Sequence, residues 1–306
     1  VVGGRRDACN PEHTGTKCGL RHHLDLGPGE ERVVRLRLAP ADATVGFEDF
    51  EAIVERRRDE SETFHRRQEE KCPDDETRLV HRQGYAGMIW SCQYYGYDVA
   101  RWLDGDPGQP APPRGHKNGR NHEWRNIRNH DIISMPDTWE YPWYATWDSA
   151  FQAVTFAHVD SAFAKQQLLL FVKDRYMHPN GELPAYEWAF GDVNPPVHAW
   201  AAWRTFQIER FHTGGDGDVE FLKQIFHRLL LNFTWWVNRK DAEGHNIFDG
   251  GFLGLDNIGA FDRSGPLPTG WRLQQADATS WVAAFALKMM RIALELARHD
   301  RVYEDL

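Results

Sequence analysis

The spacing of apolar residues predicts mainly helical structure after about residue 76. Apolar side chains there recur three or four positions apart, which is the period of one helix face. The pattern predicts helices at about 76–103, 146–157, 159–176, 197–212, 217–239 and 277–298. Before this region, apolar and polar side chains alternate in short runs within residues 1–40, a pattern that predicts β structure. Residues 47–70 are charged at helical spacing with few apolar positions, which is typical of a linker helix.

The connections between the predicted helices alternate between long and short. Segments 104–145, 177–196 and 240–276 are long, aromatic and rich in proline and glycine, whereas the joins near residues 159 and 215 are short. This alternation favours helical hairpins whose long loops gather at one end, the layout of an α/α toroid with a pocket at its mouth. Stacked helical repeats would have shorter and more uniform loops. Residues 106–121 indicate a flexible segment. It is either a lid or a disordered insertion, and both alternatives stay open at this point.

Composition narrows the classes of partner. The net charge is −9, which disfavours nucleic acid and anionic membranes, and no apolar run is long enough to cross a bilayer. We therefore expect neither nucleic acid nor a membrane as a partner, and a cytoplasmic location. The chain has 13 Trp, 9 Tyr and 17 Phe, and aromatic faces stack well on the C–H faces of sugars. Because aromatic residues also fill ordinary cores, this composition favours a carbohydrate ligand only slightly.

Motifs for other chemistries are missing from the sequence. The cysteines Cys9, Cys18, Cys72 and Cys92 predict free thiols, with a Cys9–Cys18 disulfide or metal pair as the alternative. No phosphate-binding loop, G-x-G-x-x-G, G-x-S-x-G or H-E-x-x-H pattern is present. We therefore expect no cofactor and no metal. The chain begins at Val1 and its segment 33–38 is a predicted strand with no sheet to join, so we expect it to start inside a larger protein.

The loop at residues 250–263 is the strongest candidate for catalysis. It places Asp256 and Asp262 among four glycines and several large apolar residues. Apolar surroundings raise the pKa of a carboxyl group, which allows it to act as a general acid near neutral pH. The alternative is a buried structural loop whose aspartates cap helices.

Two further aromatic segments carry candidate binding carboxylates. Asp148 follows a run of bulky aromatics at a predicted helix start, where it is either a sugar ligand or a carboxylate placed to suit the helix dipole. In loop 177–196, Glu187 and Asp192 lie among aromatic residues, while Glu182 fits a surface acid more easily. His198 fits a residue that simply begins a helix.

Three of these segments resemble one known family. WYATWDSAF at 143–151, NGELPAYEW at 180–188 and GFLGLDN at 251–257 resemble the α-glucosidases of glycoside hydrolase family 63, especially its large uncharacterised bacterial members. The likeness covers about residues 76–306. It implies an (α/α)6 barrel behind an N-terminal β-sandwich: the end of the sandwich at 1–46, a linker helix at 47–75, and the N-terminal part of the barrel at 76–306. The predicted fold is thus mainly α, an incomplete (α/α)6 toroid with a short N-terminal β segment.

The resemblance also implies site residues. It makes Asp256 the general acid and Asp148 a ligand of the sugar at the cleavage point. The family's catalytic base is a glutamate near the last helices of the barrel. This chain shows only about half of the twelve barrel helices, so we expect it to lack the base. The residues expected to bind substrate are Trp143, Tyr144, Trp147, Asp148, Tyr186, Glu187, Trp188, Asp192, Phe252 and Asn257.

The resemblance therefore implies an inverting, exo-acting α-glycosidase, expected to be an α-glucosidase, that cleaves an oligosaccharide or small α-glucoside. Inverting hydrolysis needs one carboxylic acid to protonate the leaving oxygen and one carboxylate to activate water. Two alternatives stay open at this point: a carbohydrate-binding helical toroid without catalysis, and a helical scaffold that binds protein.

Overall fold

The computed structural model describes residues 4–5, 10–12, 14, 18–43, 45–108, 110–135, 144–187, 189–241, 243–245, 247–248, 270 and 278–305. The chain divides into two compact units, Val1–Phe64 and His65–Leu306. The described part is mainly α-helical, as the sequence predicts.

The first unit contains extended chain, turns and the beginning of helix α1 (Phe50–Glu69). Arg35 and Arg37 pair with Glu51 and Asp49, and their guanidinium groups lie over the rings of Phe50 and Phe47. No strand occurs among residues 18–43, so the predicted β structure is wrong for this described stretch. A strand needs a neighbour to pair its backbone groups, and here the apolar side chains of segment 33–38 are largely exposed instead.

The second unit contains the remaining elements. They are helix α2 (Asp75–Trp90), strand β1 (Cys92–Asp98), helix α3 (Val99–Asp104), a 3-10 turn (Arg114–Asn118), strand β2 (Arg128–Ser134), and helices α4 (Thr146–Phe156), α5 (Ser161–Phe171), α6 (His198–Thr213), α7 (Val219–Val237) and α8 (Ala278–Ala297), followed by a 3-10 turn (Arg301–Glu304).

Helix α6 is the centre of the helical layer. It packs against α4, α5, α7 and α8, and α7 and α8 also pack against each other. Its buried residues, which include Trp203 and Phe206, face several directions, as expected for a helix enclosed by neighbours. Asp160 and Asp218 begin α5 and α7 by accepting hydrogen bonds from the backbone N–H groups of Phe163 and Phe221, each at 2.9 Å. The described helices α4 to α8 therefore share one core, and the full (α/α)6 toroid stays a prediction.

The predicted helix at 76–103 is wrong at residues 91–98, which lie between α2 and α3, whereas α2 and α3 themselves are helical as predicted. Residues Cys92–Asp98 instead form β1, which pairs antiparallel with β2 from Cys92 opposite Ser134 to Asp98 opposite Arg128. The partner strand lies within the predicted long loop 104–145, and the aromatic side chains of β1 suit a strand that has found such a partner. The predicted helix at 159–176 is also too long, since α5 ends at Phe171.

The segment predicted to be flexible, 106–121, makes several contacts within the second unit through its described residues. It contains the 3-10 turn, whose His116 ring packs 3.9 Å from that of Trp102, measured between centroids. Asn121 ends the segment in a left-handed conformation, with φ 59°, and its side chain binds loop 177–196. The segment is therefore part of the support of that loop.

A second hydrophobic cluster lies beneath the same loop. Its members come from α3, from β2 and the residues near it, from the end of α5 and the turn after it, from the residue two positions before α4, and from the loop itself. They are Val99, Leu103, Trp124, Ile127, Ile133, Met135, Tyr144, Leu170, Phe171, Tyr176 and Phe190. Because these residues are fully or almost fully buried, loop 177–196 rests on a packed base rather than extending into solvent.

Candidate active site

Loop 177–196, called the site loop below, is tied to the start of α4. The backbone N–H of Thr146 donates to the carbonyl of Ala185 at 3.1 Å, and Ala145 forms a β-bridge with Tyr186. The carboxylate of Glu187 accepts the backbone N–H of Tyr144 through Oε2 at 2.8 Å. Two segments that the sequence singles out separately therefore lie side by side.

Asn121 fixes the far side of the site loop. Its Nδ2 donates to the carbonyl of Glu187 at 2.6 Å, and its Oδ1 accepts the backbone N–H of Phe190 at 2.9 Å. Since one side chain satisfies two backbone groups, it holds the backbone of Glu187 and that of Phe190 together at a turn of the site loop. Within the turn, the N–H of Ala185 donates to the carbonyl of Phe190 at 2.9 Å.

The site loop also contacts the C-terminal end of α7. Asn232 donates from Nδ2 to the carbonyl of Gly181 at 2.9 Å. Gly181 has φ +96°, and a Cβ there would lie 2.4 Å from the carbonyl oxygen of Leu231. Only glycine allows this approach, so the position of α7 beside the loop depends on it.

These contacts leave a cleft between the start of α4, the site loop, the start of α6 and the end of α7. The cleft holds about 330 Å³, including space open to solvent. Its lining contains three tryptophans, one carboxylate and several prolines. The lining residues are Thr146, Trp147, Leu183, Pro184, Asp192, Val193, Asn194, Pro195, Pro196, His198, Asn232, Trp235 and Trp236. Indole faces beside hydroxyl-binding groups suit a sugar ring.

Among the residues predicted to bind substrate, Trp147 and Asp192 line the cleft. Asp148 is half-buried in the first turn of α4 next to Trp147, and the lining contributed by the described residues does not include it. Tyr186 is half-buried beside Glu187, with its backbone bridged to Ala145 and Ala189.

Tyr144 is completely buried. Its ring packs on Phe171 and Tyr176 in the second hydrophobic cluster. Its backbone N–H reaches Glu187, so this residue contributes to the position of that carboxylate. The remaining site residues from the sequence, Trp143, Trp188, Phe252, Asp256 and Asn257, lie outside the described residues.

Burial changes the pKa of two glutamates of the site loop. It raises the pKa of Glu187 above its usual range, and the hydrogen bond from the N–H of Tyr144 opposes this by stabilising the carboxylate. Burial raises the pKa of Glu182 to about 7, against the opposing effects of Arg239 and Asn180. Glu182, which the sequence suggests is a surface acid, is thus a half-buried carboxyl group whose pKa lies near neutral pH.

The raised pKa of Glu182 predicts how stability changes with pH. The folded protein holds this proton up to about pH 7, whereas an unfolded glutamate releases it near its ordinary pKa of about 4.3. The contribution of Glu182 to the free energy of unfolding should therefore fall as pH rises from about 4 to 7. Above pH 7 the destabilisation caused by the buried charge should stay at its full size.

Glu182→Gln stays uncharged at every pH and should remove this cost. We expect it to raise the free energy of unfolding by about 1–2 kcal/mol at pH 8, and to have little effect at pH 4.5. Thermal melts of both proteins at the two pH values measure the difference. A stabilisation of equal size at both pH values would show that burial of the charge is not its cause.

The sequence interpretation missed several lining residues. Trp235 and Trp236 end α7, where the pattern indicates only a buried helix face, and Asn232 belongs to the same helix. His198 does begin α6, as expected, but it also lines the cleft. The two adjacent tryptophans were the available signal in the sequence. One face of a helix cannot bury both members of a neighbouring pair, so one of them had to lie on a second surface.

The described residues support three further observations. No group of three or more His, Cys, Asp or Glu side chains within them is arranged to hold a metal ion. None of the helices in the described part is both long enough and apolar enough to cross a membrane. Cys18, Cys72 and Cys92 are free thiols, while Cys9 lies outside the described residues.

Comparison with known proteins shows which domain family the chain resembles. The chain is 49% identical over 318 residues to the uncharacterized protein YMR196W of Saccharomyces cerevisiae. The match covers 100% of this chain and 29% of that relative, so the chain spans less than a third of the relative's length. Residues 141–300, just over half of the chain, match the mannosylglycerate hydrolase MGH1-like glycoside hydrolase domain. They include α4 to α8, the site loop and the whole cleft lining. The chain therefore belongs to the family of MGH1-like glycoside hydrolase domains.

Proposed function

We propose that this chain carries the sugar-binding cleft and the general acid of an inverting, exo-acting α-glycosidase of the family 63 type, which hydrolyses an α-linked glucoside. The observation that carries the proposal is the cleft itself. Trp147, Asp192 and Trp236 reach it from three separate parts of the chain, and the matched glycoside hydrolase domain includes all of them.

In this proposal three carboxylates near the cleft bind the sugar. Asp148, Glu187 and Asp192 accept hydrogen bonds from sugar hydroxyls, and the aromatic residues stack on the ring. Glu187 is suited to the task because the N–H of Tyr144 and the clamp made by Asn121 hold it in place. A ligand held in advance loses less conformational freedom when substrate binds.

Asp256 is the proposed general acid. Asp256 lies in the segment between Phe248 and α8, and the N–H of Phe248 donates to Oγ1 of Thr279 at 3.1 Å. The described residues on either side of this segment are therefore close together. The end of α7, which precedes the segment in the chain, lines the cleft. These positions of the flanking residues support the assignment of the acid to residue 256.

The proposed reaction has one step at the sugar carbon. Asp256 gives its proton to the glycosidic oxygen as the bond from that oxygen to the anomeric carbon breaks. A water on the opposite face loses a proton to a glutamate that we place outside these residues, and its oxygen bonds to the anomeric carbon. The two carboxyl groups should lie roughly 6.5–9.5 Å apart, which leaves room for the water.

A panel of glycosides tests the proposal. The full-length protein should release glucose from at least one α-linked glucose disaccharide or α-glucosyl conjugate. Mannosylglycerate belongs in the panel because the description of the matched domain names its hydrolysis. Binding of a sugar without release of any product would favour a carbohydrate-binding domain instead. Cleavage of mannosylglycerate alone would keep the glycosidase and replace the proposed substrate.

A further inference from the structure

Two buried polar side chains in the cleft have atoms without hydrogen-bond partners. His198 is 3% exposed and Asn232 is 1% exposed, and both line the cleft. Within the part of the chain that the structure describes, neither Nε2 of His198 nor Oδ1 of Asn232 takes part in a hydrogen bond. Most buried polar atoms in folded proteins do have a partner, so two exceptions in one cleft require an explanation.

The orientation of Asn232 is fixed by the site loop. Its Nδ2 donates to the carbonyl of Gly181, and a carbonyl oxygen can only accept. Oδ1 must therefore be the atom that is left over, and it can accept a hydrogen bond from a ligand. An apolar residue at this position would avoid the cost of an unpaired oxygen but would also lose the contact with Gly181.

His198 is a neutral group at physiological pH. Burial lowers its pKa to about 4, so the imidazole carries no charge and only one of its nitrogens carries a proton. Its ring lies 6.1 Å from that of Phe171, measured between centroids, in an edge-to-face arrangement. A neutral ring nitrogen can either donate to or accept from a hydroxyl group, which has both capacities itself.

We propose that Nε2 of His198 and Oδ1 of Asn232 bind hydroxyl groups of the sugar in the cleft and thereby determine which sugar it accepts. The inference rests on the proposed function, since it assigns part of the recognition to two residues of the same cleft. Binding of substrate would satisfy both atoms. A sugar that lacks the matching hydroxyl would leave them buried and unpaired, which is a strong basis for discrimination.

The test compares His198→Phe with Thr205→Val. Thr205 belongs to the same helix, is completely buried, and its Oγ1 likewise has no partner among the described residues. It does not line the cleft, so it is a matched control. Both substitutions remove an unpaired buried polar atom, and neither should lower the melting temperature. Only His198→Phe should weaken the binding of glucose or mannose, by about tenfold, as measured by tryptophan fluorescence.

Monodeoxy forms of the same sugars identify the contact. For one of them the wild-type protein should bind about tenfold more weakly than it binds the parent sugar, and His198→Phe should show no such difference. The wild-type measurement does not depend on whether His198→Phe folds. If the wild-type protein binds every deoxy sugar as tightly as the parent sugar, the proposal is overturned. Equal binding of the parent sugar by His198→Phe and wild type would overturn it too, with the proposed function intact. If wild-type protein binds no sugar at all, the proposed function fails together with this inference.

Discussion

Replacement of Asp256 by asparagine in the full-length protein is expected to reduce turnover by about 10²–10⁴-fold on substrates with poor leaving groups. An alkoxide leaving group needs a proton as its bond breaks, and asparagine cannot supply one. An activated aryl glycoside needs less protonation, so its turnover should fall much less. The loss should lie mainly in kcat, because the acid acts in the transition state rather than in substrate binding.

Steady-state kinetics on a matched pair of substrates measures this effect. The pair consists of an alkyl and a nitrophenyl glycoside of the same sugar. Asp262→Asn provides a control from the same loop, since both residues lie among the same glycines and aromatics and only Asp256 is assigned to catalysis. Equal losses on the two substrates would show that Asp256 is not the acid.

Asp148→Ala should weaken sugar binding and turnover together, each by about 10–100-fold. A hydrogen bond to a charged carboxylate contributes about 1.5–3 kcal/mol, and a ligand of the sugar hydroxyls acts in both the ground state and the transition state. The alternative role, a carboxylate placed to suit the dipole of α4, predicts a loss of only about 0.3–1 kcal/mol in stability. Asp148 lies in the first turn, where either role is possible.

Asp160→Ala is the control that separates the two roles. Asp160 begins α5, where its carboxylate accepts the N–H of Phe163 at 2.9 Å. Its replacement should cost about 1 kcal/mol of stability and leave sugar binding unchanged. Isothermal titration with the sugar and thermal melts of both variants give the two quantities. If Asp148→Ala loses stability in the same way and binds sugar normally, then Asp148 is a structural residue.

Helices α4, α6, α7 and α8 were predictable to within two residues at each end, because their apolar residues recur at helical spacing. The sequence predicts 146–157, 197–212, 217–239 and 277–298, and the structure has Thr146–Phe156, His198–Thr213, Val219–Val237 and Ala278–Ala297. In α7 the buried residues Leu222, Ile225, Phe226 and Leu229 follow the predicted spacing. A local pattern was sufficient there, since helix hydrogen bonds are also local.

The β1–β2 ribbon was not predictable in the same way. Its strands lie about 36 residues apart in the chain, and pairing of Tyr95 with Asp131 depends on a contact that no local period reveals. The 3-10 turn and the role of Asn121 were hidden for a related reason. A segment rich in proline and glycine indicates a loop, but the contacts that order the loop come from residues 66 and 69 positions away.

The site was predictable in its segments but not in all its residues. Sequence motifs identified the start of α4 and the site loop, which the structure brings together through Glu187 and the N–H of Tyr144. They did not identify the part of the cleft that comes from the end of α7, because Asn232 and Trp236 match no motif. Glu182 was assigned to the surface since the sequence does not reveal how deeply a loop carboxyl is buried.

The stereochemistry of the first product tests the central claim most directly. Hydrolysis of an α-glucoside by the full-length protein can be followed by proton NMR before the released glucose mutarotates. An inverting mechanism, with Asp256 as acid and water as the nucleophile, predicts that β-glucose appears first and that the α-anomer follows slowly. Initial formation of α-glucose would show retention through a covalent intermediate and would contradict the account.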